Sequence, residues 1–493
     1  MKQNKKTNNN KKSKLKWITS NWFIAIVQLV ASGAIAFGMY RLNSLPLKYT
    51  AVFAAVLVLG NLLYLYLLFH GKKGVRNLGK VLSVMISIAM FMGSFVALKT
   101  AGFYSDVTGG KIDTHMVSVL VLADDAAKEL KDLQEAEFGY NENVDEAYIT
   151  QTFEDIDKVL KKSTVKNSYT NNELLAEALL NKTQRAILIS ESQRSFIEEI
   201  YPEFDTQTKV IFQKGFEVEV NISTDKPPVN VTKDTYTFFI SGIDTYGPVS
   251  SVSRSDVNMI MTVSPSTKQI LLTSIPRDYH VNLATSGKKD KLTHAGNYGV
   301  EESVSTVENL FDINIDYYIK VNFSSLTKIV DALGGITVNS KFKFTSGAGQ
   351  NIVVGNNNLN GAQALAFVRE RKGIAGGDDS RILNQAAALE GIIKKAMSPT
   401  IIANYNGFLS SIGGSFVMSM PENDFKAIIR NQVDTMASWD IMNYAVTGVG
   451  ATSTTTYSMP GRALYVKNPD MASVKQAHDY IQAMEGNERI SLN

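Results

Sequence analysis

Cysteine is absent from all 493 residues of the chain. This absence excludes thiol nucleophiles, disulfides and thiolate zinc sites. Histidine is also scarce, and the five histidines form no HxxxH or HExxH spacing, so the sequence does not predict a histidine-based zinc enzyme. A chain without thiols is typical of proteins exported by cells that do not use disulfides, such as many Gram-positive bacteria.

Acidic residues are missing from the first 98 residues, which carry 13 Lys and Arg. The remaining residues carry 37 Lys and Arg against 47 Asp and Glu. The first part also contains three long apolar runs, at 17–40, 49–69 and 81–98, each of a length that can cross about 30 Å of hydrocarbon. The sequence therefore predicts a Lys-rich tail (1–16), a three-helix transmembrane anchor (17–98) and an acidic soluble body.

The basic residues around these runs predict the orientation of the anchor. Seven lysines lie in the tail and four basic residues lie between 72 and 80, whereas the loop at 41–48 has only Arg41 and Lys48. Because basic loops stay in the cytoplasm, we expect a multi-pass protein of the cell membrane with a cytoplasmic N-terminus and residues 99–493 outside the cell. A DNA contact by the tail is not favoured, because lysines before a membrane span commonly fix topology and contact anionic lipid.

The body is predicted to contain two domains, separated by Pro227 and Pro228, which cannot continue a helix or a central strand. The first, at 99–226, is interpreted as a small α/β accessory domain with strands at 116–123 and 185–190 and helices at 126–137, at 145–162 and in a stretch that ends at Ile200. The second, at 229–485, is the predicted catalytic domain, and 486–493 form a C-terminal tail.

The second domain alternates strand-like and helical segments, which predicts a layered α/β fold with a largely buried sheet. Strand-like runs rich in apolar and β-branched residues lie at 236–242, 257–263 and 269–275. Helical stretches are predicted at 300–310, 324–333, 361–366, 380–397, 423–433 and 471–484, and the Gly/Asn-rich stretch at 346–358 is predicted to be a loop or hairpin.

Polar residues cluster at the ends of these strands, where ligands commonly bind in open α/β sheets. Asp244 follows the first strand, Arg254 and Asp256 precede the second, and Arg277 follows the third. Strand alternation lets Arg254 and Asp256 share one face. Two carboxylates without a histidine cluster suit a hard cation, most simply Mg²⁺ or a similar divalent ion such as Mn²⁺.

A fourth cluster lies between 366 and 385. If 366–371 is extended, Arg369 and Arg371 point the same way. If 380–397 is helical, Arg381 and Gln385 share one face, and Asp378 lies at the N-terminus of the helix, where a carboxylate is favoured. Several arginines beside two metal-type aspartates suit a pyrophosphate. The competing interpretation for each single residue is an ordinary structural ion pair.

These residues lie within strings that resemble the LytR-CpsA-Psr family. The strings are GIDTYG (242–247), SRSDVNMIMTVSP (253–265), LLTSIPRDYHV (271–281), YYIKVNF (317–323), IVDALGGITVN (329–339), LNGAQALAFVRERK (359–372) and GDDSRILNQAAAL (377–389). The three-run anchor with a domain ahead of the core is similar to the streptococcal capsule-type member of the family.

The resemblance implies a three-layer α/β/α sandwich with an apolar groove for a polyprenyl chain. The implied activity is Mg²⁺-assisted transfer of a glycan or glycan-phosphate, here of capsular polysaccharide or a related glycopolymer, from a polyprenyl pyrophosphate carrier onto peptidoglycan. Capsule assembly proteins are the further partners that the resemblance implies. By position, Asp244 and Asp256 match metal ligands, and Asp378 matches a nearby acidic residue. The residues that match head-group binders are Arg277, Arg369, Arg371, Arg381 and Gln385, and Arg254 matches a further family arginine.

Two other functions stay open on the sequence. One is a membrane-bound transcriptional regulator or attenuator that uses the basic tail, and the other is a non-catalytic sensor of lipid-linked glycan during capsule assembly. Loss of the Arg369 side chain should abolish the activity of an enzyme and spare a DNA-binding protein.

Overall fold

The computed structural model describes residues 17–220, 229–243, 248–347, 349–399, 401, 408–409 and 411–492. The chain divides into two compact units. One unit consists of Met1–Asp106, Met397–Gly413 and Pro421–Ala437. The other consists of Val107–Ala396, Gly414–Met420 and Ser438–Asn493. The predicted proline linker lies outside the described residues.

Three apolar helices open the described chain: α1 (Asn21–Leu42), α2 (Leu47–His70) and α3 (Lys73–Val107). Each is long and apolar enough to cross a membrane. The predicted anchor is thus helical, but α3 extends beyond the predicted run at both ends. The basic stretch after Lys73 is helical rather than a loop, because Lys, Arg and Leu are good helix formers and Gly71 and Lys72 suffice for the turn.

Polar side chains connect the three helices internally. The Gln28 side-chain oxygen accepts hydrogen bonds from the hydroxyls of Ser83 and Ser87, each over 2.9 Å. Asn61 donates to the Ser32 hydroxyl over 2.9 Å. Hydrogen bonds of this kind stabilise helix packing where the surroundings are apolar. By contrast, α2 exposes most of its leucines and valines, as an apolar helix surrounded by lipid would.

A small lobe follows, built on a five-stranded sheet. Its elements in chain order are β1 (Ile112–Leu122), β2 (Glu137–Asn141), α4 (Glu146–Leu160), β3 (Val165–Tyr169), α5 (Asn172–Leu180), β4 (Ala186–Ser190), α6 (Glu191–Ile200), α7 (Phe204–Gln207) and β5 (Thr208–Glu219). The strand order is β3-β2-β4-β1-β5, with β1 antiparallel to both neighbours. Alternate residues of β1 pack against α4 on one face and against α5 and α6 on the other.

One helix predicted for the small lobe is wrong. The stretch 126–137 contains a single 3₁₀ turn, Leu130–Leu133, and Glu137 already begins β2. The Asp132 carboxylate accepts hydrogen bonds from the backbone N–H groups of Lys128 and Glu129, which fixes a tight turn instead of a longer helix.

A large lobe is built on a six-stranded mixed sheet. The elements in the first half of this lobe are, in chain order, β6 (Tyr236–Ile243), β7 (Ser255–Ser264), β8 (Gln269–Ile275), β9 (His280–Asn282), β10 (Lys289–Lys291), α8 (Leu292–Ala295), α9 (Val300–Phe311), β11 (Tyr317–Asn322), α10 (Phe323–Ala332) and β12 (Ile336–Ser340). The remainder are β13 (Phe344–Thr345), β14 (Asn351–Ile352), β15 (Gly355–Leu359), α11 (Gly361–Arg369), α12 (Asp378–Ala396), β16 (Phe416–Met418), β17 (Asp440–Ala445), β18 (Gly448–Ser453), β19 (Leu464–Pro469) and α14 (Met471–Glu485). Between β16 and β17 the chain also forms helix α13 (Glu422–Thr435), which is not part of this lobe.

The main sheet has the order β16-β11-β6-β7-β8-β17. The central strands β6, β7 and β8 form an antiparallel meander, whereas β11 and β17 pair in parallel with β6 and β8. Helices α9 and α14 cover one face around Phe239, Ile260 and Leu271. Helix α12 packs against β8 and β17, which makes the large lobe the predicted three-layer α/β/α sandwich. The predicted loop or hairpin at 346–358 contains β14 and the start of β15.

Helix α13 belongs to the first compact unit, together with α1–α3. The Lys426 ammonium donates to the Arg41 carbonyl over 3.1 Å, and Arg430 donates to the Asn43 side chain over 3.0 Å. The short loop between α1 and α2 is therefore hydrogen-bonded to α13.

Candidate functional site

The ends of three neighbouring strands meet at one edge of the large-lobe sheet. Strand β7 runs antiparallel to β6 and β8, so its first residues lie beside the last residues of both. Asp256 is the second residue of β7, and Arg277 follows the end of β8. Asp244, the first residue after β6, lies outside the described residues. Two of the strand-end clusters predicted from the sequence therefore meet.

Asp256 is buried and forms ion pairs with two arginines. Arg277 donates from Nη1 to Asp256 Oδ1 over 2.8 Å, and Arg254 Nε lies 3.5 Å from the same oxygen. Burial acts to raise the pKa of Asp256, but the charges of Arg254, Arg277 and Arg381 outweigh it and hold that pKa at about 2. The carboxylate is therefore ionised at neutral pH.

The first turn of α12 contributes a further ion pair. Asp378 begins the helix, and Arg381 Nη2 lies 2.7 Å from Asp378 Oδ1, in a geometry that does not satisfy a hydrogen bond. Arg277 Nε lies 4.0 Å from the same Asp378 oxygen. Burial lowers the pKa of Arg381, and the charge of Arg277 lowers it further. Gln385, one turn after Arg381, is also buried.

The condition that 366–371 is extended, under which Arg369 and Arg371 would point the same way, is not met. Helix α11 continues to Arg369, and Glu370 directly after it has an extended backbone. Arg369 and Arg371 consequently do not share one strand face. The Arg369 guanidinium lies over the Phe323 ring, 4.5 Å from its centroid.

A cavity of about 360 Å³ opens beside these groups. Its lining residues are Glu198, Glu199, Pro202, Arg254, Arg277, Asp278, Thr293 and Arg371. The Nε atoms of Arg254, Arg277 and Arg381 are buried and make no hydrogen bond within the described part of the chain. Unused N–H donors on guanidinium groups suit a multivalent anion, because phosphate oxygens accept hydrogen bonds from such forks.

The family comparison agrees with this geometry. The model of the LytR_cpsA_psr family matches residues 197–475, which is more than half of the chain. The chain belongs to the LytR-CpsA-Psr family.

Curated relatives of this LytR-CpsA-Psr chain carry one name, polyisoprenyl-teichoic acid–peptidoglycan teichoic acid transferase TagU. The protein of Bacillus anthracis (strain CDC 684 / NRRL 3495) is 37% identical over 182 residues, which cover 37% of this chain and 60% of that protein. The protein of Enterococcus faecalis (strain ATCC 700802 / V583) is 35% identical over 207 residues, 41% of this chain and 68% of that protein.

Among solved structures, the crystal structure of B. subtilis TagV is 27% identical and covers 52% of this chain and 99% of that chain, with a TM-score of 0.44. The structure named "TagT bound to LIIa-WTA" is 26% identical and covers 53% of this chain and 94% of that chain, with a TM-score of 0.41.

Several cavity residues of this LytR-CpsA-Psr chain were not predicted from the sequence. Glu198, Glu199 and Pro202 belong to the small lobe, and Thr293 belongs to α8, so no local pattern connects them with the arginines. Asp278 follows Arg277 directly but was assigned no role. Burial raises the pKa of Asp278, although Arg277 and Lys291 act in the opposite direction.

Glu199 joins the two lobes through a buried charge network. Its carboxylate lies 3.1 Å from Lys291 Nζ and 3.3 Å from His294 Nε2. His294 Nδ1 lies 2.7 Å from Asp290 Oδ1. Burial acts to raise the pKa of Glu199, but His294 and Lys291 outweigh it and hold that pKa at about 2. Burial acts to lower the pKa of His294, but its two carboxylate partners raise it.

The described residues around Asp256 would supply only part of a coordination shell for Mg²⁺. Within the described ranges no three acidic or histidine side chains form a metal-binding group. Mg²⁺ nevertheless commonly keeps several waters and binds through one or two carboxylates plus substrate phosphates. An ionised Asp256 would supply one such ligand, and Asp244 the other.

Proposed function

We propose that this chain transfers a glycopolymer from a polyprenyl pyrophosphate carrier onto peptidoglycan. One observation carries the proposal: arginines surround an ionised carboxylate beside a cavity, with buried N–H donors left unused. The names of the TagU relatives support the same reaction class.

In this reaction the phosphate oxygens of the carrier accept hydrogen bonds from Arg254, Arg277 and Arg371 in the cavity. An acceptor sugar hydroxyl attacks the phosphorus nearest the glycan. A new P–O bond forms to the acceptor, the P–O bond to the bridging oxygen breaks, and polyprenyl phosphate leaves. The arginines are held in place before the reaction, so they stabilise the charge that develops on the transferred phosphoryl group without reorganisation.

A carboxylate must accept the proton of the attacking hydroxyl. Asp244 and Asp378 were the candidates on the sequence. Asp378 Oδ1 already faces Arg381 Nη2 at 2.7 Å. Asp278 lines the cavity and has a raised pKa, so it is the better-matched proton acceptor in this proposal.

Asp256 and Asp244 are the residues that we propose hold a divalent cation, Mg²⁺ or Mn²⁺. When bound there, the cation would neutralise part of the phosphate charge. Asp256 also orients Arg277 by its own hydrogen bond, so this residue acts on the phosphate site with or without the ion.

Capsular polysaccharide is the specific glycopolymer that we propose. The support is the combination of three apolar helices with a small lobe that lies mostly ahead of the residues matched to the family, an arrangement that resembles the capsule-type member. The curated relatives are named for teichoic acid, so the two polymers are the alternatives to compare.

The test uses the full chain in detergent micelles with a labelled polyprenyl-pyrophosphate-linked glycan and peptidoglycan. Wild type should release polyprenyl phosphate and attach label to peptidoglycan. Arg371→Ala should lower the rate about 100-fold, a typical loss for one group that stabilises the transition state. The matched control is Arg489→Ala, an exposed arginine paired with Asp440, which should leave the rate unchanged.

Parallel assays with a capsular polysaccharide donor and a teichoic acid donor identify the polymer by comparing the two transfer rates. Binding of the donor without turnover by wild type, with and without Mg²⁺, would favour the sensor function over the enzyme. A rate unaffected by Arg371→Ala would exclude this cavity as the reaction site.

A further inference from the structure

The small lobe forms one wall of the arginine-lined cavity. Glu198 and Glu199, near the end of α6, line it together with Pro202, opposite Arg254 and Arg277 of the large lobe. Both lobes belong to the same compact unit. Residues of the small lobe are thus next to the groups that we propose bind phosphate.

The two glutamates differ in what they contact. Glu199 of the small lobe forms ion pairs with Lys291 and His294 of the large lobe, and it thereby links the two lobes. Glu198 points to Arg254, with 3.7 Å between Glu198 Oε2 and Arg254 Nη1. Both side chains of this second pair are about a quarter exposed, so the pair lies at the cavity surface.

Arg254 is consequently held between two carboxylates from different lobes. Asp256 lies 3.5 Å from its Nε, and Glu198 lies 3.7 Å from its Nη1. These distances are within ion-pair range but longer than those of ordinary hydrogen bonds. The two carboxylates therefore orient the guanidinium electrostatically and leave its Nε–H without an acceptor in the described chain. Arg254 itself lines the cavity with about a fifth of its side chain exposed, so the oriented guanidinium can contact a phosphate there.

We propose that Glu198 of the small lobe is a positioning residue for Arg254, so that the small lobe is part of the phosphate-binding site. The inference rests on the proposed function, since it assumes a pyrophosphate in this cavity. By its own charge, Glu198 would repel an anionic ligand. It nevertheless helps the anion to bind, because it orients the Arg254 guanidinium toward the ligand.

A double-mutant cycle on the affinity for farnesyl pyrophosphate tests this statement. The full chain in detergent micelles is titrated as wild type, Glu198→Gln, Arg254→Ala and the double variant. We expect Glu198→Gln to weaken binding about five-fold, within the range of coupling energies of residues in contact. In the Arg254→Ala background the same change should cause no loss of affinity. Arg254→Gln, which keeps a long polar side chain, is a second background in case Arg254→Ala does not fold.

A conservative variant and a matched control separate positioning from a general effect on structure. Glu198→Asp keeps the charge and should recover most of the lost affinity. Arg462→Ala removes another contact between the lobes, 2.7 Å from Glu173, but lies away from the cavity lining, so it should leave the affinity unchanged.

Three results would overturn the inference. Tighter binding by Glu198→Gln in both backgrounds would mean that Glu198 only repels the anion. An equal loss in Arg462→Ala would assign the effect to lobe docking in general, and an unchanged affinity would remove the role altogether. Failure of wild type to bind farnesyl pyrophosphate would instead contradict the proposed function itself.

Discussion

Arg277 donates a hydrogen bond to Asp256 over 2.8 Å, and the two residues come from adjacent ends of neighbouring antiparallel strands. The pair is buried on the Asp256 side and partly exposed on the Arg277 side. Each group therefore fixes the other at the edge of the cavity, and a change in one alters the arrangement of both.

Asp256→Asn should separate charge from shape at this position. The amide can still accept a hydrogen bond from Arg277, so we expect the protein to fold with a loss of about 1–3 kcal/mol in the free energy of unfolding. Transfer activity should fall about 100-fold, because the arginines lose their counter-charge and a proposed cation loses a ligand. Thermal unfolding and transfer assays on the full chain measure both.

Chelation of divalent ions is the companion experiment for Asp256. Wild type should approach the activity of Asp256→Asn when ions are removed and recover with Mg²⁺. A variant with nearly normal turnover, together with a wild type that tolerates chelation, would reject the metal role and leave Asp256 as a partner of arginines only.

Arg371→Lys tests whether the cavity needs a guanidinium fork rather than a positive charge. Lysine keeps the charge but loses the bidentate geometry. Loss of one charge-assisted hydrogen bond, about 1.5–3 kcal/mol, corresponds to at least about ten-fold weaker binding of farnesyl pyrophosphate. Calorimetric titration measures the affinity, with Arg489→Lys as the exposed control. Equal affinities for wild type and Arg371→Lys would contradict bidentate binding.

The Glu199–His294 pair predicts a pH dependence of stability. The raised pKa of His294 contributes stability that is complete below its ordinary value of 6.5 and is lost as the pH rises through the raised value. The lowered pKa of Glu199 contributes stability that is complete above 4.5 and is lost as the pH falls toward about 2. Both contributions are complete between about pH 4.5 and 6.5, which sets the expected optimum of this pair.

His294→Gln should therefore flatten the alkaline side of the curve. We expect the unfolding temperature of wild type, followed by circular dichroism on the full chain, to fall from pH 6 to pH 9 more steeply than that of the variant. Arg462→Ala should keep the wild-type slope. Parallel curves for wild type and His294→Gln would show that His294 does not change its protonation on unfolding.

The orientation of the anchor is tested by single cysteines, which the thiol-free chain makes unambiguous. Lys73 and Ser168 are both exposed. An impermeant thiol reagent on intact cells should label Ser168→Cys and not Lys73→Cys, because the basic start of α3 is predicted to stay in the cytoplasm. Labelling of Lys73→Cys alone would reverse the orientation and with it the proposed wall-linked function.

The sequence predicted the part of the site that depends on local pattern. Apolar runs identified β6, β7 and β8, and the polar residues at their ends meet because consecutive strands pair as a meander. The helix predicted at 361–366 forms as α11 but continues to Arg369, so the condition of an extended stretch at 366–371 is not met.

The contribution of the small lobe could not be predicted in this way. Glu198 lies on a helix whose charges are typical of a solvated surface, far from Arg254 in the sequence. Its position depends on how two sheets pack, through contacts such as the buried ion pair of Asp113 with Lys320. Such long-range packing leaves no periodic signal in the sequence.

Strands β16 and β17 lie at opposite edges of the large-lobe sheet, although they are close in sequence on either side of α13. During synthesis from the N-terminus, the four central strands are complete before either edge strand exists. Their unpaired backbone groups are then open on both sides, which is the arrangement most prone to pairing with other chains. The nascent chain therefore remains vulnerable to aggregation until residues 416–445 have emerged, and a truncation before β16 would leave that vulnerability permanent.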